Sequence, residues 1–249
     1  WLAARQGHEQ KTHFLGLRGD LQPLLAAEDL AQNAAEVACF DQQQKGQALA
    51  LVGAVFQGGA DVIGPGAAKA DHHGDLQKLS DMFHIKAIEL IAKTLRGAVD
   101  NTAEGREGMA LGQYVAGMGF SNVGLGVDHS MAHTLSAYYD MPHGKACATL
   151  LPAVMAYNAE ATGEKYREIA RAMGVQGVDG MTQDEYRAAA VEAVRQLAED
   201  VGIVTSLKGV AREEDIHQMS VDAYNDACRP GNPRETSVED IEALYRSLM

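Results

Sequence analysis

"LSDMFHIKAIELIAKTLRGAV", residues 79–99, sets the fold class. Its apolar residues Met82, Ile85, Ile88, Ile91 and Leu95 recur every three or four positions. That is the period of one helix face, because side chains so spaced lie on the same side. Ser80 stands where an N-cap would, with a hydroxyl able to accept from an unpaired backbone N–H. Working outward, a second helix is expected over about residues 104–117, ending in the glycine-rich "AGMGFSNVGLG". A third carries His129 and His133. A fourth follows Pro142, since proline suits a first helical turn, and Pro152 is expected to kink or divide it. Thr182 with Glu185 reads as a capping box before "YRAAAVEAVRQLAEDVG", and Gly202 as its C-terminal stop. Thr236 with Glu239 reads as a second box before "VEDIEALYRSLM". No strand alternation occurs over 78–249. The fold class is therefore mainly α, an all-helical C-terminal domain.

Composition changes near residue 77. Residues 1–77 hold ten glutamines and the remaining 172 hold five, which sets the two parts off from each other. "ALALVGAVF" (48–56) reads as a buried strand or short helix, and "LQPLLAAEDLAQNAAEVA" (21–38) as an alanine-rich helix with Leu24, Leu25, Leu30 and Val37 inward. No fold is assigned to this segment.

The net charge of −13 argues against a nucleic-acid or anionic-membrane surface. No apolar run is long enough to span a bilayer. Cys39, Cys147 and Cys228 are odd in number, far apart and without CxxC spacing. A disulfide framework is not expected, and a reducing cytoplasm is. The chain begins at Trp1 with neither Met nor a signal-peptide core, which suggests a fragment or a processed chain.

"VDHSMAHTLSAYYDMPHG", residues 127–144, carries the chemistry. His129 and His133 are one helical turn apart and share a face. His143 opens the following helix, where its side chain can be aimed inward. Imidazole is a common ligand of zinc and a good one of iron. A lone HxxxH also occurs as a solvated or hydrogen-bonded pair, so His143 is what strengthens the metal reading. A zincin is excluded because position 130 is Ser, leaving no general-base Glu. Asp128 is expected to cap the helix rather than join the site. "GMGFSNVGLG" reads either as a flexible connection or as a close backbone approach to a ligand or helix. No strand precedes it, so it is not a dinucleotide fingerprint.

The stretch "MALGQYVAGMGFSNVGLGVDHSMAHTLSAYYDMPHGKACATLLPAVMAYN" resembles the iron-containing (group III) alcohol dehydrogenases. The likeness extends over about 78–249, through "FHIKAIELIA", "TGEKYREIARAMG" and "GNPRETSVEDI". It implies an NAD-linked oxidoreductase interconverting a short alcohol or diol and its aldehyde. It implies a divalent metal, iron first and zinc second, held by one Asp and three His in a helical domain, and NAD(H) in a preceding α/β domain. By motif, His129 and His143 match two metal ligands, and His133 matches the histidine beside nicotinamide and substrate. A homodimer is also implied.

The chain departs from that pattern upstream. The "DALTHAIE"-type motif with the remaining Asp and His ligands is missing, and the aligned positions fall on Val62 and Gly66. Asp61, Asp71, His72 and His73 are nearby but out of register. They read as a polar loop or as replacement ligands. The "GGGSxxD" cofactor segment is missing too, and residues 1–77 are too short for a doubly wound dinucleotide domain. The expectation is a misjoined or frame-shifted segment fused to a dehydrogenase tail. The alternative function is an inactive helical fragment, at most a weak metal binder or an oligomerisation remnant.

Overall fold

The computed structural model describes residues 73–249 except Asn122, with side chains from residue 79 onward. The readings placed on residues 1–72, including Asp61, Asp71 and His72, lie outside the described residues; His73 opens the first helix. The described part is helical and contains no strand. In chain order the helices are α1 His73–Val99, α2 Ala103–Phe120, α3 Val127–Tyr139, α4 His143–Asn158, α5 Lys165–Ala172, α6 Gln183–Asp200, α7 Glu213–Tyr224 and α8 Val238–Ser247. None of them is long and apolar enough to cross a membrane.

α1 buries Ala87, Ile88, Ile91 and Leu95 against α2, α5 and α6. Each such Ile or Leu contributes about 1.5–3 kcal/mol relative to exposure. The stripe is narrower than the periodicity predicts, because Met82 is 54% exposed. Ser80 is not an N-cap: α1 begins seven residues earlier, and Ser80 is a buried residue inside it. α2 lies close along α1 because Gly105 faces the backbone of Gly97 and Ala98. A Cβ there would sit 2.2 Å from the Ala98 nitrogen.

α4 is apolar on two sides. Ala148, Leu151 and Met155 join the core built on α1, α2, α5 and α6. Ala146, Cys147, Leu150 and Val154 join a second core built on α3, α7 and α8. A helix apolar around most of its surface belongs inside. It runs unbroken through Pro152, so the proline does not divide it.

The Thr182–Glu185 capping box forms before α6, and Gly202 follows its end in the left-handed region with φ +79°. Before α8 the box lies one residue later than the sequence reading. Ser237 accepts from the Asp240 N–H, and the Asp240 carboxylate accepts from the Ser237 N–H. Thr236 is buried instead, with no hydrogen-bond partner for its hydroxyl. Both boxes fit the S/T-x-x-acid pattern, and burial of Thr236 settles the register. Tyr245 ties α8 to α3 by donating to the Met131 carbonyl at 3.0 Å, and its oxygen lies 2.5 Å from the Thr134 hydroxyl. The described cysteines, Cys147 and Cys228, are free thiols.

Candidate metal centre

The start of α3 is fixed by a residue far along the chain. The Asn232 carboxamide oxygen accepts from the Val127 N–H and from Asn158, and its nitrogen donates back to the Asn158 oxygen at 2.8 Å. Gly231 lets that loop approach, since a Cβ there would lie 2.2 Å from the Leu125 carbonyl oxygen. In the glycine-rich segment α2 continues through Gly117 and Gly119, and beyond it the Gly231 backbone approaches Leu125 closely.

With α3 so placed, His129, His133 and His143 meet. Ring centroids are 5.3 Å apart for His129–His143, 5.2 Å for the stacked pair His133–His143 and 6.5 Å for His129–His133. His129 is buried, whereas His133 and His143 face the outside. Burial, with the neighbouring His143 and His133 adding to it, pushes the His129 imidazole down to about 3. Burial and His133 also lower His143. Both rings are thereby kept as neutral imidazoles, the form that ligates a metal.

Three residues the sequence reading did not place belong to this region. Cys147 lies one turn after His143, its Sγ 3.6 Å from His143 Nε2. Its i, i+4 spacing was a readable signal. Asp226 and Cys228 come from the segment after α7, where no local pattern marks them. His133 Nδ1 lies 2.8 Å from Asp226 Oδ2. The other Asp226 oxygen accepts from the Cys228 N–H at 2.8 Å and from the Ser130 hydroxyl at 3.3 Å. Burial works to raise the Asp226 carboxyl, but the donors from Cys228 and His133 outweigh it and hold the group below its ordinary value. An ionised carboxylate only accepts, so the proton of this pair sits on His133 Nδ1. That leaves Nε2 as the reactive nitrogen.

Asp128 does not cap α3. The N-cap is Gly126, without a side-chain cap, and Asp128 is fully buried. Its Oδ2 is 4.0 Å from His129 Nδ1. Burial raises its carboxyl well above the ordinary range, and the adjoining Cys147 thiol offsets part of that rise.

The donor set suits a divalent ion. His129, His143 and Cys147 offer ligand atoms all within 4.8 Å of one another, and the histidines are held unprotonated. Among known proteins, the model of the C-terminal part of the Fe-containing alcohol dehydrogenase family matches residues 73–249. The chain belongs to the iron-containing alcohol dehydrogenase family. The chain is 59% identical over 170 residues to lactaldehyde reductase of Escherichia coli strain K12, covering 68% of the chain and 44% of that relative. It is 39% identical over 175 residues to 1,3-propanediol dehydrogenase of Citrobacter freundii, covering 69% of the chain and 45% of that relative. The chain therefore spans less than half the length of these relatives. Among solved structures it is similar to an alcohol dehydrogenase from Oenococcus oeni, with TM-score 0.71 and 34% identity over 82% of the chain and 52% of that structure.

Proposed function

We propose that residues 73–249 are the metal-binding part of an NAD-linked oxidoreductase interconverting a short alcohol or diol and its aldehyde. The observation that carries this is the meeting of His129, His133 and His143 in a chain 59% identical to a lactaldehyde reductase. In this reading His129 and His143 hold a divalent ion, iron first and zinc second. Bound there, the ion supplies Lewis acidity toward an alcohol or carbonyl oxygen.

The chain's own residues do the rest. Asp226 fixes the His133 ring by its Nδ1, so Nε2 is free to take or return the substrate hydroxyl proton. The carboxylate also stabilises the imidazolium formed when that proton arrives. Burial of His129 keeps water from one side of the site. A nicotinamide cradle of the strand–turn–helix kind would have to come from outside residues 73–249, which contain no described strand. Homodimerisation belongs to the same reading. So does a division near residue 77, which translation of the upstream DNA in its other frames would test by yielding or not yielding the missing ligand and cofactor motifs.

The test is metal content and NADH oxidation. Protein reconstituted with ferrous iron or zinc should bind metal and oxidise NADH with lactaldehyde. H129A and H143A should each lose metal; unchanged stoichiometry in both sinks the ligand assignment. A second reading is a helical metal binder without hydride chemistry, on the ground that residues 73–249 contain no described strand for a cofactor cradle. Folded, metal-loaded protein without turnover would establish it.

A further inference from the structure

We propose that Cys147 is a third protein ligand at this centre, making a two-histidine, one-thiolate site and moving the preference of the two-histidine reading from iron toward zinc. The inference rests on the reading that His129 and His143 hold a metal. Zinc–nitrogen and zinc–sulfur bonds of about 2.0–2.1 and 2.3 Å, opened to a tetrahedral angle, put N and S about 3.6 Å apart. The His143 Nε2 to Cys147 Sγ separation is 3.6 Å. All three ligand atoms, including that of His129, lie within 4.8 Å of one another, so small side-chain movements suffice to place them around one ion.

The placement does not depend on loops. His143 and Cys147 stand one turn apart on α4, and His129 is on α3, packed against it. Cys147 is fully buried and His143 exposed, so the ion would enter past His143 with sulfur as the deep ligand.

A second observation marks the same spot. Asp128 is fully buried beside Cys147 and His129; the Cys147 thiol reaches its carboxyl, and among the described residues no nitrogen or oxygen donor does. A thiol is a weak donor and acceptor, so the thiol, imidazole and carboxyl gathered at this edge of the core satisfy one another weakly, and a cation would satisfy them better. On coordination the Cys147 S–H bond breaks, the sulfur–metal bond forms and the proton leaves to solvent.

The neighbouring trio of His133, Asp226 and Cys228 is less suited. Its Nδ1 is held by the carboxylate at 2.8 Å, and its Nε2 is the nitrogen assigned to proton transfer. Sulfur in the donor set shifts preference from hard oxygen-seeking ions toward zinc.

The test uses the metal-free full chain titrated with cobalt(II) chloride. Cobalt bound to a thiolate shows a near-ultraviolet charge-transfer band that imidazole and carboxylate sites lack. One equivalent of bound cobalt with this band is expected in the wild type. The band is also expected in C39S/C228S, where Cys147 is the sole thiol, with circular dichroism reporting that this variant too is folded. It should vanish in C147S, with circular dichroism reporting that the variant is folded. Cobalt bound without the band in wild type and C39S/C228S overturns the thiolate ligand while leaving the two-histidine site standing. A band that persists in C147S, or is lost in C39S/C228S, assigns the sulfur to another cysteine and also overturns it. Wild type that binds no cobalt overturns both readings.

Discussion

At the level of single residues, the His133–Asp226 pair shows what side-chain chemistry adds to spacing. A histidine one turn from another is ambiguous, but one whose Nδ1 is held at 2.8 Å by a carboxylate has a fixed tautomer. Replacing Asp226 by Asn turns that acceptor into a group that either donates or accepts. Nitrogen-15 NMR of His133 should then show both neutral tautomers in D226N and only the Nδ1-protonated one in wild type. Alcohol oxidation by reconstituted enzyme should fall about tenfold or more, since proton transfer loses its orientation. An unchanged tautomer would remove Asp226 from this role. The three histidines were legible because helical periodicity and a following helix start are local signals. Asp226 was not, because it reaches His133 across 93 residues. Asp128 was misread for a related reason: its place in the first turn suggests a cap, and only the packing of α3 on α4 shows that it points inward.

Among the elements, most helices follow from local rules, and the errors lie at their ends. The α6 capping box and Gly202 stop were readable because both are short-range chemistry. The α8 box was misplaced by one because Thr236–Glu239 and Ser237–Asp240 satisfy the same pattern. Burial of Thr236, a tertiary fact, chose between them. S237A should therefore cost about 1 kcal/mol and lower the melting temperature. T236V should be neutral or slightly stabilising, because it removes a buried hydroxyl with no partner. The reverse order in thermal denaturation would restore the earlier register. Gly231 is the tighter constraint. G231A would place a Cβ 2.2 Å from the Leu125 carbonyl and push away the loop whose Asn232 holds the start of α3. The expected result is a lower melting temperature together with weaker metal binding, measured by isothermal titration. Unchanged values for both would show that the loop yields without moving His129.

For the whole molecule, α4 couples the centre to stability, since its two sides build the two cores and its first turn carries His143 and Cys147. The mainly α class was legible because every long segment has a helical period; that one helix would serve both cores was not, because apolar residues on all sides carry no direction. The same burial sets the pH response of the metal-free protein. His84 is buried on α1 with no partner for either nitrogen, and burial, aided by the Lys165 charge, pushes it from 6.5 down to about 4. The unfolded chain therefore binds this proton at a higher pH than the folded one. Stability from this group is full above about pH 6.5 and is lost as pH falls toward about 4. At about pH 5 the loss from His84 alone is about 2 kcal/mol. His129, pushed down to about 3, adds a loss of the same sign over a window reaching lower. Urea denaturation of metal-free protein should thus show stability falling steadily from neutral pH toward about pH 4. H84Q, which keeps much of the side-chain bulk but cannot charge, should flatten the His84 part of that slope while leaving the His129 part. Equal slopes in wild type and H84Q would show that His84 is protonated in the folded state at the same pH as in the unfolded one.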